Sequence, residues 1–147
     1  MAKHPDIFTK SFELGYTYTR STGPVIGRFL TGLRDASLTG VRGSDGGVIV
    51  PPAEYDPVTA AALEELVPVA ETGTVTTWCW VKQPTSHHLL QRPFAFALVK
   101  LDGTAVPMLH MVDAGAESAM RTGMRVKVRW AAERHGSITD IACFEPA

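Results

Sequence analysis

From Glu71 to Pro146 the chain alternates between short runs of β-branched and aromatic residues and breaks rich in glycine, proline and aspartate. The runs are Thr74–Val81, Phe94–Leu101, Ala105–Val112, Met124–Trp130 and Ser137–Phe144. Between them lie Lys82-Gln83-Pro84, Asp102-Gly103, the longer Asp113–Gly123 connection and His135-Gly136. Each run has the length of a strand and each break carries residues that turn a chain, so the segment reads as a barrel or sandwich. Five strands with one longer connection between the third and fourth suit a small closed barrel of the oligonucleotide/oligosaccharide-binding (OB) type. Barrels of this type are binding platforms.

Strand alternation assigns faces. In the first run Thr76, Trp78 and Trp80 share one side, and Val75, Thr77, Cys79 and Val81 the other. In the second, Phe94, Phe96 and Leu98 oppose Ala95, Ala97, Val99 and Leu101. A narrow lumen accepts the smaller set, which predicts Trp78, Trp80, Phe94 and Phe96 on the outer face. Large aromatics there need a cover, and three are open: the chain's own helix, a partner protein, or stacked nucleic-acid bases. In the fourth run Arg125, Lys127 and Arg129 alternate with apolar residues. With Arg121 they form the one local basic stripe, either a solvated face or a patch that steers an anionic ligand or acidic partner.

Residues 1–70 precede the barrel of residues 71–147 and read as an appendage to it. Asp6–Leu14 is a mixed segment with room for a turn or two of helix. The stronger signal is Pro24–Arg34, where proline suits the first helical position and Val25, Ile26, Phe29, Leu30 and Leu33 fall on one face. That stripe must pack on the barrel or on another chain. A turn-dense Gly40–Gly47 stretch, a short strand Val48-Ile49-Val50 and a helix-prone Ala60–Leu66 follow. With 14 basic and 15 acidic residues the formal charge is −1, which lacks the basic footprint of a non-specific nucleic-acid binder. No apolar run approaches the roughly 18 residues of a membrane span, and the start has no signal-peptide core, so a cytoplasmic location is expected. Cys79 and Cys143 lie in predicted strands without ligand-like spacing; free buried thiols and a cross-strand disulfide are both open.

The order of motifs resembles a known family, the zinc-ribbon plus OB-fold proteins that accompany thiolase-like enzymes acting on acyl-CoA. The resemblance rests on Gly-Pro-Val-Ile-Gly-Arg-Phe-Leu-Thr-Gly-Leu-Arg, then Gly-Gly-Val-Ile-Val-Pro-Pro-Ala-Glu-Tyr-Asp-Pro. It continues with Thr-Gly-Thr-Val-Thr-Thr-Trp, Phe-Ala-Leu-Val-Lys-Leu-Asp-Gly-Thr, Thr-Gly-Met-Arg-Val-Lys-Val and a terminal Phe-Glu-Pro. It implies a mainly β chain: a five-stranded OB barrel, an N-terminal helix and a degenerate rubredoxin-like ribbon. The function it implies is that of a non-catalytic subunit bound to a thiolase-like or lipid-transfer-type enzyme in a two-plus-two hetero-oligomer. Such a subunit supports C–C bond formation or retro-aldol cleavage of CoA thioesters in lipid or steroid side-chain metabolism. The CoA thioester is reached through the partner, with no cofactor held directly. The helix stripe and Trp78, Trp80, Phe94 and Phe96 are the expected interface.

The ribbon departs from the family pattern. Anchored on Pro51-Pro52, the four usual cysteine positions fall on Arg42, Asp45, Asp56 and Thr59, so no zinc is expected. A structural zinc contributes on the order of 10 kcal/mol, which must be offset elsewhere. An ion-pair cluster of Arg42 with Asp45 or Asp56 is one replacement; plain turn roles for the two aspartates are the other.

His87 and His88, with Arg92, lie in the first barrel hairpin and are either contacts for the CoA phosphates or pantetheine or an exposed loop pair. His110 sits mid-strand without a carboxylate partner in sequence, so no catalytic dyad is supported. The alternative function, from a different class, is a stand-alone OB module for single-stranded nucleic acid.

Overall fold

The structure, a computed structural model, describes residues 9–147. Residues 6–8 of the helical turn expected over Asp6–Leu14 lie outside it, and Thr9–Leu14 belongs instead to an arm that runs to Thr22 without helix or strand. Helix α1 spans Pro24–Arg34 with proline at its start, as the sequence predicts. Its N-cap, Gly23, has no side chain to offer. Glu54 caps the helix instead, its Oε1 accepting from the Val25 and Ile26 amides at 2.9 and 2.8 Å. Gly23 itself has φ +83, and a Cβ there would run into the Glu54 carboxylate, so glycine is required twice over.

A small antiparallel sheet follows, with β1 (Thr39–Arg42) between β2 (Val48–Ile49) and β3 (Leu66–Pro68). β1 lies where turn chemistry is expected. Gly40 is the reason it fits: a Cβ there would approach the Val48 and Val50 side chains at 2.6 and 2.7 Å. Ala60–Leu66 forms no helix. Tyr55 bridges to Ala62 and Leu66 enters β3, so pairing with β1 overrides local helix propensity.

The barrel closes in the order β4-β5-β6-β8-β7. Its strands are β4 (Thr72–Val81), β5 (Phe94–Leu101), β6 (Met108–Val112), β7 (Arg125–Trp130) and β8 (Ile141–Pro146). A 3-10 turn, Glu117–Ala119, lies in the β6–β7 connection, and another, Ile138–Asp140, precedes β8. The first half of the expected Ser137–Phe144 strand is therefore a turn. Its Ser137–Asp140 capping box satisfies both ends, and Asp140 also accepts from the His135 and Gly136 amides.

One buried cluster runs through both halves of the chain: Phe29 and Leu33 of α1 join Val75, Ala97, Val99 and Phe144 of the barrel. A second, under the small sheet, holds Val25, Val41 and Leu63. A third sits outside the barrel around Phe94, Met111 and Cys143. No helix among the described residues is long and apolar enough to cross a membrane.

The face assignment needs one correction. β4 carries a bulge between Val75 and Thr77, after which Trp78 pairs with Ala97 and Trp80 with Ala95. One extra residue reverses the alternation. Trp78 and Trp80 therefore share the side of the lumen-facing alanines and pack on the main core. β5 is regular, and Phe94 and Phe96 lie on the outer face as expected.

Candidate functional site

The connection between β4 and β5 folds back over that outer face. The His88 ring stands edge-on to Phe94 and Phe96 at 5.2 and 5.7 Å, and the two phenylalanines meet at 5.0 Å. His88 Nδ1 accepts from the Thr85 amide at 2.9 Å, and Gln91 Nε2 donates to the His88 carbonyl. The cover over the aromatic face is thus the barrel's own hairpin, with Leu90 beneath it, and not α1.

Between this hairpin and the Ile138–Asp140 turn lies an open groove of about 290 Å³, walled by His87, His88, Ile138 and Thr139 and floored by Phe96 and His110. His110 is 8% exposed, and its Nδ1 has no hydrogen-bond partner. Burial pushes its pKa below the usual imidazole value, which keeps the ring neutral near pH 7. His87 and His88 meet here as neighbours in sequence, but only His87 has a ring free of internal contacts. Among the described residues no histidine ring is hydrogen-bonded to a carboxylate, so the groove offers apolar walls and an imidazole, not an acid–base relay.

Arg92 is drawn away from the histidines. Its guanidinium pairs with Asp113, whose side chain is 3% exposed, and Arg129 Nη2 reaches the same Asp113 oxygen at 2.9 Å. Burial alone would raise the Asp113 pKa, but hydrogen bonds from Arg129 and Arg92 overcome it and hold the carboxylate below its ordinary range.

The basic stripe is compensated in the same way. Arg125 forks onto Asp102 at 2.7 and 2.5 Å, Lys127 lies 3.7 Å from Glu145, and Arg129 also reaches Glu145 at 3.2 Å. Arg121, the remaining residue of the stripe, makes no ion pair among the described residues. Cys79 and Cys143 are both free thiols; Cys143 is buried, which pushes its thiol up to about 11, while Cys79 is exposed, against the expectation of two buried thiols.

Between Arg42 and Thr59, the ion-pair alternative of Arg42 with Asp45 or Asp56 does not form. Arg42 pairs with Glu65 at 3.2 Å and donates to the Gly46 carbonyl. The aspartates take the turn roles. Asp45 accepts from the Gly47 amide, and Asp56, buried, accepts from the Ser44, Val58 and Thr59 amides at 2.8 to 2.9 Å. These bonds, from Ser44 first, hold the Asp56 carboxyl well below the usual range. Ser44 Oγ and Thr59 Oγ1 meet at 3.0 Å across the same knuckle. One carboxylate thus ties the turn at Ser44 to the turn at Val58-Thr59. Among the described residues no group of three or more His, Cys, Asp or Glu is placed to hold a metal. The expected result is sub-stoichiometric zinc by elemental analysis, a melting temperature unmoved by chelator, and a clear loss of stability in Asp56→Ala. Asp56→Asn, which keeps one acceptor oxygen, should lose less. One zinc per chain would overturn this account.

Four of the nine residues of the expected interface are buried within the chain. Val25, Phe29, Leu33 and Phe94 are buried, and Ile26, Leu30, Trp78, Trp80 and Phe96 are half-buried. Among the described residues the largest exposed apolar set lies elsewhere, on the arm: Phe12 is 82% exposed, Leu14 62%, Tyr16 77% and Tyr18 78%. Strict two-residue spacing is the signal that marks them, and a helical reading of Asp6–Leu14 hides it.

Residues 66–131 match the family model of the C-terminal OB-fold domain of ChsH2. Among solved structures, the chain is similar to the Ltp2–ChsH2(DUF35) aldolase, with TM-score 0.62 and 19% identity over 81% of this chain and 91% of that one. It is also similar to a protein of unknown function from the DUF35 family of Sulfolobus solfataricus, with TM-score 0.62 and 18% identity over 86% and 87%. No curated protein matches the chain. At these identities what is shared with the two structures is the fold.

Proposed function

We propose that this chain is a non-catalytic accessory subunit of the ChsH2/DUF35 type, bound to a thiolase-fold or lipid-transfer-type enzyme and supporting turnover of an acyl-CoA thioester. The observation that carries this reading is the likeness to a two-component aldolase: the barrel matches the ChsH2 OB domain, and most of the chain follows a structure named for Ltp2 together with ChsH2. The reaction class that fits is C–C bond formation or retro-aldol cleavage.

The geometry supports a binding role over chemistry. Arg92 and Asp113 are bound to each other, His88 pins a hairpin, and the Cys143 thiol is buried. Of the three residues considered for CoA contact, only His87 is free to make one. The nucleic-acid reading loses ground, because Arg125, Lys127 and Arg129 already face carboxylates and phosphate binding draws on uncommitted cations.

Co-expression with the thiolase-fold enzyme encoded nearest this chain's gene tests the proposal. The expected result on size exclusion is one hetero-oligomeric peak of equal stoichiometry, stable enough to bury at least about 1,000 Å². Separate elution of the two proteins would overturn it.

A further inference from the structure

We propose that Phe12–Tyr18 is a docking strand that adds to an exposed sheet edge of the partner enzyme; this deepens the accessory-subunit reading and rests on it. The segment alternates without a break. In a strand, Phe12, Leu14, Tyr16 and Tyr18 would share one side and Ser11, Glu13, Gly15, Thr17 and Thr19 the other. Phenylalanine, tyrosine and threonine favour strands, and the row has the pattern of a strand with one buried and one solvated face.

Yet it has no strand to pair with. Among the described residues no backbone hydrogen bond reaches Phe12–Tyr18, and all four large side chains are exposed. Such a strand left open is an aggregation hazard, which a docking partner removes. Each of the three aromatic side chains can bury on the order of 150–250 Å², and Leu14 adds to them. The four together therefore approach the roughly 800 Å² per partner of a standard interface.

This fold offers a second copy no edge as long as the arm. The barrel ladders are incomplete between β4 and β7 and between β6 and β8, but the longest stretch with a strand on one side only, Thr76–Val81 of β4, is six residues. In the small sheet the outer strands are two and three residues long. β2 is further occupied by the Ala105 amide on the Val48 carbonyl, and β3 ends at Pro68, which has no amide to give. A seven-residue strand needs a longer edge with an apolar trough beside it, and a different protein must supply it. The arm leads straight into α1, which is fixed to the barrel, so docking it anchors the whole subunit.

The test uses the full chain, the double variant Phe12→Ser/Tyr16→Ser and the co-expressed enzyme. The variant should keep the wild-type melting temperature, because the arm contributes nothing to the buried clusters, and should bind the enzyme at least about tenfold more weakly. Hydrogen exchange should show the amides of residues 11–19 open in the free chain and protected in the wild-type complex. Unchanged binding by the variant overturns the docking strand and leaves the accessory reading standing. Weakened binding with no amide protection in the wild-type complex overturns strand pairing. Light scattering that finds the free chain dimeric and the variant monomeric overturns the choice of a different protein. Failure of the wild-type chain to bind the enzyme overturns both proposals.

Discussion

Phe29→Ala should destabilise the chain by about 3–5 kcal/mol in urea unfolding, the cost of deleting a buried phenylalanine and leaving most of its cavity. Phe29 is 2% exposed and lies where α1 meets the barrel cluster. Glu54 caps the helix from the connection between β2 and β3, so loosening α1 also releases that connection. Val58→Ala, at a residue 89% exposed, is the matched control and should change stability by no more than about 0.5 kcal/mol. A cost below about 1 kcal/mol for Phe29→Ala would mean that the helix does not depend on the barrel. The apolar stripe of α1 would then be available to a partner after all.

That experiment also separates two readings which the sequence leaves level. An apolar helix stripe says that something must cover it, and says nothing of whether the cover is in the same chain. The barrel was legible because glycine, proline and aspartate punctuate it at strand spacing, and α1 because Pro24 and a clean apolar face agree. The tryptophan faces were not. A bulge adds one residue with no marker at Thr76, and the inversion follows only from the pairing of Trp78 with Ala97. β1 was hidden by Gly40, whose smallness serves close approach rather than a turn.

The candidate site was legible only in part. His87 and His88 were visible as an imidazole pair, but their different fates depend on Thr85 and the two phenylalanines, contacts made across the hairpin and its sheet. The basic stripe was visible too, while the carboxylates that neutralise it come from other strands and loops. Asp102, Asp113 and Glu145 are distant in sequence from the cations they meet, so charge counting along β7 overstates its field.

Omitting this chain should lower acyl-CoA turnover by the thiolase-fold partner at least about tenfold, a barrier change of about 1.4 kcal/mol or more. An accessory subunit acts by holding its partner in a working shape, so its absence is felt in kcat as well as in solubility. Adding the purified chain back should restore the rate in proportion to complex formed. His87→Ala should leave turnover within about twofold, because on the accessory-subunit proposal the partner would carry the thioester and one exposed imidazole adds little. His88→Ala should act differently. It removes the ring packed on Phe94 and Phe96 and the acceptor for the Thr85 amide, so it should loosen the hairpin and lower the melting temperature before it affects rate. Full activity of the enzyme alone would overturn the accessory role. Acyl-CoA turnover by this chain unaided would overturn the assignment of the chemistry to its partner.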